Sequence, residues 1–148
     1  NIFGPLQPPL HAYAAAIPSF LAAAFQGQPL PVHGDGTQSR DFTYVSSVVE
    51  VIVDALSRRV VHLDPVNLAF GSNVSLLEVI GHLEEILERP LPREHLPSRV
   101  GDVQRSQADS STLLRLFPDV RPTPLLEGLE ATVRWFETSR PWQRLSGD

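Results

Sequence analysis

The chain has 148 residues with 42% apolar side chains, which predicts one domain with a single hydrophobic core. Its net charge of −5 disfavours nucleic acid and anionic membranes as partners, because both attract basic surfaces. The absence of cysteine excludes disulfides and thiolate metal sites, and no apolar run approaches the roughly 20 residues needed to cross a bilayer.

The first predicted element is a helix over residues 13–26 that ends near Gly27. Its apolar side chains recur at helical spacing, namely Ile17, Phe20, Leu21 and Ala24. Residues 32–45 then predict two extended segments separated by a Gly-Asp-Gly turn.

Two capping-box patterns predict where the next helices begin. In this device a serine hydroxyl accepts from the amide three residues on, while a glutamate reaches back to the serine amide. Residues 47–50 predict the start of a helix that runs through Leu56, and residues 75–78 predict the start of a helix to about Glu88.

Residues 66–70 lie between these helices and predict a buried strand stopped by Gly71. The prolines at 90, 92 and 97 permit only an edge strand or extended coil there, because proline lacks a ladder donor. Residues 110–117 predict a short helix. The alternation of strands and capped helices is typical of an α/β fold.

The last predicted helix has Thr123 as its cap and Pro124 at its first position, where a missing amide proton costs nothing. Pro141 marks its end, and residues 139–148 are predicted to form a loose tail.

The Gly-Asp-Gly turn and the arginine that follows it form the most informative motif. Gly34 and Gly36 would let backbone amides approach an anion, while Arg40 offers a planar set of donors to phosphate oxygens. The alternative interpretation is a plain tight turn in which Arg40 pairs with Asp35 or Asp41 on the surface.

Other chemical motifs are missing from the sequence. The histidines show no metal-ligand spacing, and no serine lies in a Gly-x-Ser-x-Gly elbow. A glycine-rich dinucleotide fingerprint is absent, and a Tyr-x-x-x-Lys pair is impossible because all 12 basic side chains are arginine. The sequence therefore predicts no catalytic, cofactor-binding or metal-binding residue within this chain.

Five segments, in order, resemble the C-terminal half of the NAD-dependent epimerase/dehydratases, which are extended short-chain dehydrogenases/reductases. These segments are residues 1–5, 15–20, 32–45, 67–71 and 99–102 followed by 108–109. The likeness covers residues 1 to about 138 and is greatest to UDP-glucose and UDP-N-acetylglucosamine 4-epimerases. It implies the C-terminal portion of a Rossmann-like α/β fold, with residues 1–148 as one substrate-binding unit and the NAD-binding Rossmann domain absent from the chain.

The resemblance also implies which residues bind substrate. Asn1, Arg40 and Arg99 would converge on a nucleotide diphosphate, whose two negative charges suit two bidentate arginines. Asp102 would lie near the ribose, and Gln38 is a weaker candidate for a polar contact with ribose or sugar. Alternatively, Arg40 and Arg99 form surface ion pairs with aspartates at 41 and 102.

Small side chains at Ala15 and Ala16 would leave room for the substrate, and Val32 with His33 would flank the pyrimidine base. His33 departs from the aromatic residue expected there, and a solvated loop histidine is an equal alternative. Leu6 also departs from the family, in which relatives commonly carry arginine.

The resemblance implies nucleotide-sugar binding within an NAD-dependent 4-epimerase of the cytoplasm, with a UDP-sugar as substrate and a homodimer at full length. A dehydratase or decarboxylase of the same family is one alternative, and a non-catalytic binding or assembly module is another. NAD and the catalytic pair would be supplied by the N-terminal domain, so this chain alone is predicted to be inactive. Residues 67–70 would join that domain's sheet, so the isolated chain should expose apolar surface and self-associate.

Overall fold

A computed structural model describes residues 1–9 and 14–143 and combines five α-helices with six short strands in that part of the chain. The helices are α1 (Ala16–Phe25), α2 (Val45–Arg58), α3 (Leu76–Ile86), α4 (Ser111–Leu116) and α5 (Leu125–Ser139), followed by a 3₁₀ turn at Pro141–Gln143. The strands are β1 (Ile2–Phe3), β2 (Leu30–His33), β3 (Ser39–Arg40), β4 (Thr43–Tyr44), β5 (Val74–Ser75) and β6 (Arg93–Leu96). This combination confirms the predicted α/β class. Among the described helices, none is long and apolar enough to span a membrane.

The strands form three two-stranded ladders rather than one sheet. Strands β1 and β4 pair in parallel, β2 and β6 pair in parallel, and β3 and β5 pair antiparallel. In the β2 and β6 ladder Leu30 lies opposite Arg93 and His33 lies opposite Leu96. The two segments flanking the Gly-Asp-Gly turn therefore pair with different partners, and the proline-rich segment forms an edge strand as predicted.

The main core lies between α1, β2, α3 and α5. Its fully buried side chains include Phe20, Leu21, Leu30, Ile80, Leu83, Leu129 and Phe136. A second, smaller cluster contains Val51, Leu113 and Phe117. The helical periodicity of the sequence placed the apolar face of α1 correctly, since Ile17 is also buried.

The capping-box prediction is confirmed at Ser75 and wrong at Ser47. The Ser75 hydroxyl accepts from the Glu78 amide, and Glu78 accepts from the Ser75 amide at 2.8 Å. Helix α2 begins earlier, at Val45, and the Ser47 hydroxyl instead accepts from the Thr123 amide at 2.9 Å. Because Ser47 is fully buried between these segments, its hydroxyl satisfies a distant amide.

The same bond removes Thr123 from its predicted capping role. The residue that caps α5 is Pro124, without a side-chain hydrogen bond, and the helix begins at Leu125. The predicted tail also differs, because Ser139 ends α5 and Trp142 stacks on Phe25 with ring centroids 4.5 Å apart. Residues 144–148 of that tail, like residue 13 of the first predicted helix, lie outside the described residues.

Residues 66–70 form no strand in the described structure, so that prediction is wrong. A strand requires a neighbouring backbone for its ladder, and no described strand pairs with this segment. Its side chains Val66, Leu68 and Phe70 pack instead against the second cluster.

Apolar surface is exposed on α2, here called the α2 face and consisting of Val49, Ile52, Val53 and Leu56. These residues recur at helical spacing and expose 50%, 49%, 55% and 73% of their surface. The expectation of exposed apolar surface is met here, on a helix rather than along residues 67–70.

Candidate functional site

A cavity of about 260 Å³ lies between the start of α1, the strands β1, β2 and β3, and the segment that follows β6. All the site residues predicted from sequence line it except Val32, namely Asn1, Ala15, Ala16, His33, Gln38, Arg40, Arg99 and Asp102. The structure thus brings together residues that are up to 101 positions apart in the sequence.

Val32 lies outside this cavity because side chains alternate along a strand. Within β2, Pro31 and His33 line the cavity, whereas Leu30 and Val32 are fully buried in the core. The strand period alone would have placed Val32 and His33 on opposite faces.

The Gly-Asp-Gly turn supports the site, but none of its three residues lines the cavity. Gly34 donates its N–H to the Leu96 carbonyl at 2.8 Å, so it holds β2 against β6. Gly36 has a φ of +81°, and a Cβ placed there would lie 2.8 Å from the Leu77 side chain. Both conditions favour glycine at position 36.

Asp35 is engaged within the turn. Its carboxylate accepts from the Thr37 amide at 2.9 Å and from the Thr37 hydroxyl at 2.7 Å, and these bonds lower the pKa of Asp35. The Asp41 carboxylate binds a different segment, since it accepts from the amides of Gly71 and Ser72 at 2.9 and 3.2 Å. Neither aspartate pairs with Arg40.

Arg40 instead pairs with Asp102 in the lining of the cavity. The guanidinium also donates to the carbonyl oxygens of Ser39 at 2.7 Å and Val103 at 2.6 Å. Its side chain is only 14% exposed, so the charge lies in a partly desolvated position. Electrostatic attraction to an anion is stronger there than at an open surface.

Arg99 lies on the exposed segment between β6 and α4, and no salt bridge to it occurs among the described residues. The Arg99 carbonyl accepts from the Asp102 amide at 3.1 Å in a turn that contains Gly101 at a φ of +81°. The surface pair of Arg99 with Asp102 is therefore absent, because the Asp102 carboxylate contacts Arg40.

Backbone bonds attach this segment to β3. Ser39 donates to the Gln104 carbonyl at 2.9 Å, and Ser106 donates to the Ser39 carbonyl at 3.1 Å. Arg40 adds its bond to Val103, so one short strand positions both arginines beside the cavity.

His33 and Gln38 have defined partners at the cavity. The Nδ1 atom of His33 lies 3.1 Å from the Pro97 carbonyl, which can only accept, so this bond requires the proton on Nδ1. Gln38 is 6% exposed and donates from Nε2 to the His33 carbonyl at 2.6 Å. These bonds orient both side chains.

Helix α1 begins at the cavity without a side-chain cap. Its N-cap residue is Ala15, and the residues Ala15 to Ile17 line the cavity. The amides of a first helical turn have no intrahelical acceptor and favour a negative charge. On the opposite side, the Asn1 carbonyl accepts from the Thr43 amide at 3.1 Å, which fixes the position of Asn1 beside β4.

Sequence analysis missed the apolar part of the lining, which includes Phe3, Ile17, Phe20 and Phe42. Ile17 and Phe20 each expose 1% of their surface and contribute to the core as well as to the cavity. No signal in the sequence separates such residues from ordinary core residues. The described residues contain no group of three metal-ligating side chains, and Leu6, which is exposed, does not line the cavity.

Comparison with known proteins supplies an independent observation. Residues 1–69 match the profile of the NAD dependent epimerase/dehydratase family. A UDP-N-acetyl-alpha-D-glucosaminuronate decarboxylase from Bacillus cytotoxicus is 32% identical to the chain, over 92% of the chain and 44% of the relative.

Two solved structures are similar in fold as well as sequence. A UDP-N-acetylglucosamine 4-epimerase from Methanobrevibacter ruminantium, in complex with UDP-N-acetylmuramic acid, is 33% identical with a TM-score of 0.84, over 94% of this chain and 44% of that one. A UDP-glucuronic acid 4-epimerase from Bacillus cereus, in complex with UDP-glucuronic acid and NAD, is 29% identical with a TM-score of 0.83, over 93% and 43%. The chain thus spans less than half the length of these proteins.

Proposed function

Because the chain belongs to the NAD-dependent epimerase/dehydratase family, we propose that it is the nucleotide-sugar-binding part of an enzyme that inverts C4 of a UDP-sugar. The observation that carries this proposal is the shared cavity of Arg40 and Arg99, which are 59 positions apart in the sequence. Two guanidinium groups can neutralise the two charges of a diphosphate, and their planar donors match phosphate oxygens.

The rest of the cavity suits the other parts of such a ligand. The uncapped start of α1 favours the diphosphate, and the alanines at 15 and 16 leave space beside it. The oriented ring of His33 offers a face on which a base can stack, and the buried amide of Gln38 offers a polar contact. Asn1 completes the polar lining at β1.

Catalysis would use binding energy from these residues without involving them in bond changes. They hold the nucleotide while the attached sugar reacts, so contacts with unreactive parts of the substrate assist the reaction. Bound NAD would supply hydride transfer at C4 of the sugar, while the residues of this chain would hold the nucleotide in place. The glycine-rich fingerprint and the Tyr-x-x-x-Lys pair are not in this sequence, so the proposal assigns NAD binding and the catalytic pair to another part of the protein.

The α2 face is the proposed contact with an NAD-binding domain of the same protein. The similar enzymes are more than twice as long as their matched regions, so additional chain is available to cover apolar surface. Four apolar side chains at helical spacing form a continuous stripe of the kind that helices bury against a neighbouring layer.

Product analysis of the full-length protein with UDP-glucose, UDP-glucuronic acid and their N-acetylated counterparts tests the reaction. Inversion at C4 without a change in mass supports an epimerase. Loss of water or carbon dioxide would instead support the dehydratase or decarboxylase alternative.

The stand-alone binding module is tested by the coding sequence upstream of Asn1. An open frame with the glycine-rich fingerprint and Tyr-x-x-x-Lys eliminates that alternative. A frame that lacks both, together with no turnover of any UDP-sugar, would refute the enzyme and leave the binding module.

A further inference from the structure

The described part of the candidate cavity is lined by three guanidinium or carboxylate side chains, Arg40, Arg99 and Asp102. Their formal charges sum to +1. A nucleotide sugar is a diphosphate diester with about two negative charges, whereas a free nucleoside diphosphate gains a further charge above the second phosphate pKa of about 6. The two ligands therefore differ by one charge at the position where these side chains converge.

The carboxylate of Asp102 is fixed in this environment. It pairs with the Arg40 guanidinium, while the next residue, Val103, is held through its carbonyl by the same side chain. The Asp102 amide donates to the Arg99 carbonyl, which sets the turn between the two residues. Asp102 thus places a negative charge beside the same cation that is proposed to bind phosphate.

A fixed carboxylate has different consequences for the two ligands. Against the net charge of +1 on the three side chains, the diester leaves one negative charge unbalanced and the free nucleoside diphosphate leaves two. A third charge on the terminal phosphate would lie close to Asp102 without a third cation to balance it, and like charges in a partly desolvated site repel.

We propose that Asp102 is a specificity-determining residue. Its carboxylate disfavours the third negative charge of a free nucleoside diphosphate, so the site prefers a nucleotide sugar. This inference rests on the proposed function. The carboxylate acts through charge, by limiting the total negative charge that Arg40 and Arg99 can accept. A contact with the ribose would give no such preference, because both ligands contain the same ribose.

The test is calorimetric titration of the full-length protein with UDP-glucose and UDP at pH 8. The ratio of the two dissociation constants is compared among the wild type, Asp102→Asn and the control Glu137→Gln. The control removes one exposed carboxylate on α5, remote from the cavity lining. Should Asp102→Asn fold poorly, Asp102→Ser is the second variant, because it also removes the charge.

The expected result is that Asp102→Asn strengthens UDP binding relative to UDP-glucose by about threefold or more, with the ratio unchanged in Glu137→Gln. An equal loss of affinity for both ligands would mean that Asp102 contacts the ribose or supports the turn. That result would overturn this inference and leave the proposed function standing. Failure of the wild type to bind either ligand would overturn the proposed function together with it.

Discussion

Arg40 and Asp102 form an ion pair in the lining of the candidate cavity although 62 residues separate them in the sequence. Arg40 is also bonded to the carbonyls of Ser39 and Val103, so the pair joins β3 to the segment that carries Arg99. The proposed anion site and the structure that positions it therefore share one side chain.

The role of His33 in stacking predicts a difference between two substitutions. Replacement by alanine should weaken UDP binding by about 1 to 3 kcal/mol, which is the usual contribution of a ring stacked on a base. Replacement by phenylalanine should retain most of the affinity, because it keeps a ring and loses only the bond to Pro97. Calorimetric titration of the full-length protein provides the measurement, and equal losses in both variants would contradict stacking.

Gly36 should not tolerate a side chain. Gly36→Ala requires a strained φ of +81° and a displacement of Leu77, so we expect a loss of about 1 to 3 kcal/mol in the free energy of unfolding. Gly81→Ala is the matched control, because Gly81 lies inside α3 with open space around its Cβ position and alanine favours a helix. Thermal unfolding should move the two variants in opposite directions, whereas an unchanged midpoint for Gly36→Ala would refute the packing argument.

The capping box at Ser75 predicts a stability effect that depends on pH. Ser75→Ala should cost about 1 kcal/mol at neutral pH, which is typical of a lost N-cap. The Ser75 hydroxyl and amide lower the pKa of Glu78, so the folded state binds this proton less readily than the unfolded state does. The resulting stability is present above the ordinary pKa of glutamate and is lost as the pH falls through the lowered value.

The difference between wild type and Ser75→Ala should accordingly be greatest near neutral pH and shrink in acid. Urea unfolding at pH 7 and at pH 3.5 measures it. Ser47→Ala is the comparison, because it removes a buried bond to Thr123 rather than a bond to a glutamate at the helix start. A loss from Ser75→Ala that grows in acid would contradict the assignment.

The α2 face predicts the behaviour of the isolated residues 1–148. Exposed apolar stripes associate in water, so sedimentation should show self-association of this chain. Leu56→Glu should reduce that association, whereas Leu63→Glu should not, since Leu63 is even more exposed but lies outside the face. A compact monomer without any substitution would refute the interpretation of the α2 face.

The sequence predicted local structure well where neighbouring residues determine it. The spacing around Ser75 sufficed because the cap and its glutamate belong to one helix. The identical spacing at Ser47 failed because the amide of Thr123, 76 positions away, takes the hydroxyl. Only the folded chain determines such a pairing.

In the candidate site, too, contacts between distant residues could not be predicted from the sequence. The family likeness placed Arg40 and Arg99 in one cavity, but the pairing of Arg40 with Asp102 rather than Asp41 depends on the path of the chain after β6. The resemblance implies that Val32 and His33 both flank the base, but side chains alternate along a strand and Val32 is buried in the core. The apolar segment at residues 66–70, stopped by Gly71, predicts a strand, but a strand also needs a neighbouring backbone to pair with.

Calorimetric titration of the full-length protein with UDP-glucose, before and after Arg99→Ala, tests the central claim most directly, because Arg99 has no salt bridge within the described structure that its removal would break. We expect binding to weaken by about 1.5 to 3 kcal/mol, the usual contribution of a hydrogen bond to a charged group, with a similar loss for Arg40→Ala and none for the exposed control Arg134→Ala. Wild-type affinity in the Arg99→Ala and Arg40→Ala variants would show that the two guanidinium groups do not bind the diphosphate.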